Sequence, residues 1–294
     1  MMATADLLAD EIAFALGLPR GGWARRGLGL VFRRPIRELA SIADAFDLAS
    51  AQKGLPQGAE EALSNWCRGI KARGLERVPQ DGPLLVVSNH PGTYDALVIA
   101  SRLGRPDLRT IVSDIPFLEH LPEASRHFIF LDPTPEKRAL AARQGIRHLR
   151  VGGALLLYGT GLIDPDPALY PQAADELAGW SRSIEVFMAR VPGLIVLPCV
   201  VSHTLSPGWA RSPLRFLRRA PLDRRRIVEF GQVIQQLTFP GRLLLSPCLS
   251  FGRPFPAENL GEPGAGGVRL AALIDCEREL MTEHVAAFGG PKGL

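Results

Sequence analysis

The chain has 294 residues, 46% hydrophobic and 22% charged, with a formal net charge of +4. That composition excludes a disordered or low-complexity chain, and the length allows one large domain or two small ones around a sizeable core. The positive charge is mostly arginine, since only Lys53, Lys71, Lys137 and Lys292 are lysine. It favours anionic partners, whether phospholipid, coenzyme phosphate or nucleic acid, without choosing among them.

The first residues, MMATADLLADEIAF, carry acids where a signal peptide needs bases, and no apolar run reaches the roughly 18 to 20 residues of a membrane span. The expectation is a cytoplasmic protein whose membrane contact is peripheral, at the inner face. A short amphipathic helix over 5–16 ends at Pro19-Arg20-Gly21-Gly22. In WARRGLGLVFRRPI, Trp23, Leu28, Leu30, Val31 and Phe32 stand among Arg25, Arg26, Arg33 and Arg34. The pattern suits a lipid headgroup boundary, and equally a loop packed on its own domain. Helices follow over 36–53 and 57–73, the second with Leu63, Trp66, Cys67 and Ile70 at core-facing spacing. Residues 1–74 thus form an N-terminal helical segment, and 75–294 a second unit.

From residue 83 onward, apolar runs over 84–87, 110–112, 128–131, 154–158, 194–201 and 227–230 read as strands. Helical stretches over 96–103, 135–149, 173–190 and 268–288 intervene. This alternation predicts an α/β fold with a mixed, largely parallel sheet flanked by helices. Cys67, Cys199, Cys248 and Cys276 form no C-x-x-C pair and have no histidine at ligand spacing, which points to a reduced compartment and no structural metal.

The joint between the first strand of this unit and its helix reads VSNHPGTYD. Pro91 favours an extended backbone at His90, Gly92 permits a sharp turn, and Thr93 is a good N-cap residue. Asp95 then falls in the first helical turn, where the helix dipole favours a carboxylate that reaches back to one imidazole nitrogen. His90 keeps its other nitrogen for a substrate hydroxyl, as a general base oriented by Asp95. A second H-x4-D, His127 and Asp132 in HFIFLD, is an internal control. Its apolar intervening residues read as strand, which sets the pair about 16 Å apart and pointing to opposite faces.

NHPGTYD resembles the N-H-x4-D block of the glycerolipid acyltransferase superfamily, which includes bacterial lysophosphatidic acid acyltransferases. RHFIFLD fits the position of the family's second block, but the arginine after that strand is missing. The third block, commonly F-P-E-G-T-R, corresponds to Leu156 through Gly161: Gly159 and Thr160 match, while Tyr158 stands at the glutamate position and Gly161 at the arginine position. The fourth block, an apolar strand with a central proline, matches Ile195 through Val200 around Pro198. The resemblance spans about 83–201.

It implies an O-acyltransferase that moves a fatty acyl group from acyl-CoA or acyl carrier protein to a hydroxyl of a lipid precursor, with neither metal nor other cofactor. His90 and Asp95 would be catalytic, and Asn89, Gly92, Thr93, Tyr158, Gly159 and Thr160 would line the substrate site. Backbone amides near Gly92 or Gly159 would serve the oxyanion. Loss of the two arginines implies an acceptor without a terminal phosphate, unless Arg126, Lys137 or Arg138 restores the charge from another loop.

Beyond the fourth block, WARSPLRFLRRAPLDRRRIVEF interleaves Arg215, Arg218, Arg219, Arg224 and Arg225 with aromatic and aliphatic side chains. This composition suits an anionic membrane surface or a phosphorylated donor; nucleic acid and a solvated basic face are the rivals. Two other functions stay open beside the enzyme: a lipid- or membrane-binding protein of the same fold that has lost turnover, and, with least support, a nucleic-acid-binding module.

Overall fold

The chain enters the fold on two helices. α1 (Arg33–Lys53) buries Ile36, Ala40, Ala43 and Phe46 at intervals of three and four, and ends where Gly54 adopts φ +85°. α2 (Leu55–Leu63) starts with Pro56 in its first turn. The computed structural model describes residues 27, 29–113, 116–131, 134–261 and 267–291. The helix expected over 5–16, and Trp23, Arg25, Arg26, Leu28 and Asp132, lie outside them.

The helix expected over 57–73 stops at Leu63. Arg68 N–H donates to Leu245 O and Lys71 N–H to Pro247 O, which draws the chain into the sheet as β1 (Lys71–Arg73). Leu63, Trp66 and Cys67 are buried as the spacing required, but the last two lie beyond the helix.

The remaining strands and longer helices follow in order: β2 (Leu84–Ser88), α3 (Asp95–Leu103), β3 (Arg109–Ser113), β4 (Phe128–Leu131), α4 (Pro135–Arg150), β5 (Ala154–Tyr158), α5 (Ser183–Arg190), β6 (Ile195–Ser202), α6 (Pro221–Thr238), β7 (Cys248–Phe251), β8 (Phe255–Pro256) and α7 (Val268–Phe288). The strands make one sheet in the order β1-β7-β6-β2-β5-β3-β4, with β8 on β6. Every pairing is parallel except β6 with β7 and β6 with β8. The architecture is therefore the mixed, largely parallel α/β sheet expected.

β2 sits between β6 and β5, and all five of its residues are fully buried. Its side chains alternate: Leu84 and Val86 join the core under α1, α2 and α3, while Leu85 and Val87 join the core under α4, α5 and α7. Burying such a side chain contributes about 1.5–3 kcal/mol. The centre of the sheet is thus a rigid mount, and its carboxyl ends are where parallel α/β sheets carry ligands.

Two further expectations are corrected. Residues 227–230, read as a strand, lie inside α6: Pro221 and Asp223 in its first turn start a helix, and that outweighs the local β-branched run. The helix expected over 173–190 is broken into a 3₁₀ stretch, Pro171–Gly179, and α5. Ser181 N–H donates to Gly159 O at 2.8 Å, a tertiary bond that fixes the break. β7 and β8 carry no strand expectation from the sequence, because Pro247 and Pro254 crowd both.

Candidate active site

Six residues, Asn89 through Tyr94, bridge the end of β2 to the start of α3. The register places Ser88 beside Tyr158 on β5 and Cys199 on β6, so the turn leaves the sheet between two strand ends. Asn89 is buried; its Nδ2 donates to Val201 O at 3.0 Å and its Oδ1 accepts from Val201 N at 2.9 Å. Both ends of that amide are committed to the β6 backbone, so Asn89 splices the turn to the sheet.

Thr93 does not cap α3. The N-cap position is Tyr94, without a side-chain cap, and Thr93 Oγ1 instead donates to Glu229 Oε1 of α6 at 2.6 Å. Tyr94 stacks on Trp66 at 4.8 Å and donates to Gln236 Oε1 at 2.6 Å. Gly92 packs closely: a Cβ there would stand 3.0 Å from both Glu229 Oε1 and Thr204 Oγ1, so those side chains would have to give by a few tenths of an ångström. Two consecutive side chains of the turn are thus held by one helix far along the chain.

His90 Nδ1 lies 2.7 Å from Asp95 Oδ2, and Gly92 N–H donates to the same oxygen at 3.2 Å. The Asp95 side chain is 1% exposed and that of His90 26%. The imidazole therefore shows its free edge to solvent while its inner nitrogen is fixed. Nδ1 carries the proton in the neutral ring, which leaves Nε2 as the basic atom.

The Tyr158 hydroxyl donates to the other carboxylate oxygen, Asp95 Oδ1, at 2.5 Å, and its ring lies against His90 at 4.2 Å and 19°. From the other side, Asp164 Oδ2 accepts His90 N–H at 2.9 Å, His90 O accepts Asp164 N–H at 2.7 Å, and Thr160 Oγ1 donates to Asp164 Oδ1 at 2.8 Å. Thr160 thus acts through Asp164. Burial pushes the Asp164 carboxyl up to about 6.

Burial pulls the His90 imidazole down, but the charge and hydrogen bond of Asp95, with Glu229 and Asp164 behind, outweigh it and hold the group at about 9. Burial likewise raises Glu229 and takes the Tyr158 phenol well above 10, so the phenol remains a donor.

Gly159 accepts no side chain. A Cβ there would stand 2.1 Å from the Trp180 ring, which lies directly on the backbone. Its N–H donates to Ser88 O at 3.0 Å. Gly92 N–H is engaged by Asp95, so the amides of Gly92 and Gly159 themselves are both bonded within the fold.

Gly161, at the position where the resemblance would put arginine, has φ +67° and open space around it. Arg225 donates to Ile163 O at 2.9 Å and pairs with Glu176, so it braces the loop after β5 and is not held out for a lipid. Arg224 Nε donates to Arg218 O at 2.9 Å, and Arg215 stacks over Phe216. Arg215, Arg218 and Arg219 precede α6, while Arg224 and Arg225 lie in its first turns. His127 Nδ1 is 3.0 Å from Leu108 O, in the sheet-edge region.

Asp164, Asp166 and Glu229 escaped the sequence reading. Asp166 is buried and accepts from the backbone of Ala168, His203 and Thr204, joining the loop after β5 to the end of β6. The acidic pair in LIDPDPALY was the only local signal; nothing near Glu229 in sequence connects it to His90. Among the described residues no cluster of three or more His, Cys, Asp or Glu could hold a metal ion.

Residues 69–202 match the family model described as Acyltransferase, a stretch that holds β1 through β6 and the His90 turn. Over that stretch the chain is similar to the acyltransferase family. Among solved structures it is similar to the 1-acyl-sn-glycerophosphate (LPA) acyltransferase PlsC from Thermotoga maritima, at 14% identity and a TM-score of 0.44, over 85% of this chain and 97% of that one. No curated protein matches it.

Proposed function

We propose that the protein transfers a fatty acyl group from a thioester, acyl-CoA or acyl carrier protein, to a hydroxyl of a lipid acceptor. The single observation that carries this reading is the 2.7 Å contact of His90 Nδ1 with buried Asp95, beside an open Nε2 edge. His90 Nε2 takes the proton from the acceptor hydroxyl as its oxygen attacks the thioester carbonyl. The C–S bond then breaks, and the leaving thiolate takes the proton back from the imidazolium. Asp95 holds the tautomer and stabilises the charge formed in between.

The acceptor carries no terminal phosphate. Gly161 offers no cation, Arg225 is paired with Glu176, and the charged groups acting on His90 are the carboxyls of Asp95, Glu229 and Asp164. A lost charge-assisted contact costs roughly 1.5–3 kcal/mol, one to two decades in affinity.

The protein works on a membrane surface, at the inner face. Phe216 and Leu217 are 68% and 67% exposed between Arg215, Arg218 and Arg219, a pairing of apolar and cationic groups that suits anionic lipid. Among the described residues no helix is long and apolar enough to cross a membrane.

Transfer from labelled acyl-CoA and acyl carrier protein to a panel of lyso-lipids and other hydroxyl acceptors tests the reading. Turnover lost in His90→Ala supports it. No turnover with any acceptor, alongside vesicle binding, would favour a lipid-binding protein instead. Preference for lysophosphatidic acid would overturn the acceptor class.

A further inference from the structure

Asp95 is fully buried, and a buried carboxylate needs partners on both oxygens to hold one orientation. Oδ2 has two, His90 Nδ1–H and Gly92 N–H. On Oδ1 the Tyr158 hydroxyl is bound at 2.5 Å. Tyr158 is the last residue of β5, in register with Ser88 and so two residues short of His90, on the sheet face that also carries α3. From there its ring lies against the imidazole at 4.2 Å and 19°. One rigid side chain therefore touches both His90 and Asp95.

We propose that Tyr158 is a positioning residue for the reaction: its hydroxyl locks the Asp95 carboxylate, and its ring sets the plane of the His90 imidazole. This rests on the reading of His90 as the base. A carboxyl at this position would face Asp95 acid to acid, and one of the two would have to keep a proton. A phenol stays neutral and donates, so Asp95 keeps its charge for the imidazolium.

The bond also tunes the base. A donor on Oδ1 draws charge from the carboxylate and weakens its hold on the His90 proton. The charged groups facing His90 are Asp95 from α3, Asp164 from the loop after β5 and Glu229 from α6; beside Tyr158 the titratable neighbour from β6 is Cys199. None of these residues is replaced in the variants below, and only Asp95 accepts from the Tyr158 hydroxyl.

The test uses the full-length protein and reads His90 directly, by its NMR titration, together with the pH dependence of kcat/KM. Tyr158→Phe keeps the ring and removes the donor. It should move the His90 titration upward by at least about 0.5 unit, roughly threefold in the proton equilibrium, and lower kcat about tenfold or more. Substitution of Tyr158 alone by 3-fluorotyrosine preserves the fold and strengthens the donor, and should move the titration downward. Opposite shifts establish the role. An unmoved titration in both variants would overturn it, including the case in which Tyr158→Phe only lowers thermal stability. If His90→Ala retains turnover, the reading of the base fails instead, whatever Tyr158 does.

Discussion

Thr93 Oγ1 donates to Glu229 Oε1 at 2.6 Å, fastening the turn after β2 to the middle of α6. Glu229 is 8% exposed and stands beside Gly92, 3.0 Å from where a Cβ would lie. Glu229→Gln keeps an acceptor for Thr93 and should change stability by a few tenths of a kcal/mol. Glu229→Ala leaves the hydroxyl unpaired over a cavity and should cost about 1–3 kcal/mol. Denaturant unfolding of both variants checks this; equal stability would mean that the contact contributes little.

His90→Ala should reduce transfer by at least about 10²-fold, the lower range of general-base catalysis. Asp95→Asn should lose nearly as much, because Asn offers no charge to the imidazolium. His127→Ala should change stability alone, since its ring nitrogen serves Leu108 O. Specific activities beside unfolding curves separate these cases, and a loss below about tenfold in His90→Ala would remove the base.

A free histidine would place the rise of activity at roughly pH 6 to 7.5. In the structure the surrounding carboxyls hold His90 at about 9. A base must be unprotonated, so kcat/KM should climb about tenfold per unit from pH 7 and level off near 9, with about 1% of the free enzyme competent at pH 7. The stability sign follows the raised value. The His90 contribution is fully present below about 6.5, the unfolded value, and is lost as pH rises through about 9. A pH profile of kcat/KM and unfolding curves across pH 6 to 10 measure both, and a rise complete by pH 7.5 would contradict the geometry.

Gly159→Ala should destabilise by about 1–3 kcal/mol or more, because the added methyl meets an indole ring held between the β5 end and the core under α5 and α7. Thermal unfolding measures it. A variant of unchanged stability would mean that Trp180 moves freely.

Substituting Arg218, Arg219 and Arg224 together should release the protein from anionic vesicles. Each contributes on the order of 1 kcal/mol near such a surface, within a Debye length of about 8 Å. Flotation with anionic and neutral vesicles reads the effect. Equal binding to both would dismiss the electrostatic attraction.

The amino-acid order alone determined the elements whose signals are local. β2 through β5, α3, α4 and α7 follow from apolar periodicity bounded by Gly and Pro, and the closeness of His90 and Asp95 from a turn of five residues into a helix start. Tertiary structure decided whatever depends on contacts between distant segments. The same Leu63, Trp66 and Cys67 fit a helix or a chain entering a sheet edge until Leu245 and Pro247 supply the pairing. Residues 227–230 fit a strand until α6 is seen to pack on α1 and the His90 turn. Thr93 suits an N-cap, yet the Glu229 carboxyl, 136 residues away, takes its hydroxyl. Tyr158, Asp164 and Glu229 converge on His90 only because strand register and helix packing bring β5, its following loop and α6 to one end of the sheet, and no spacing along the chain encodes that meeting.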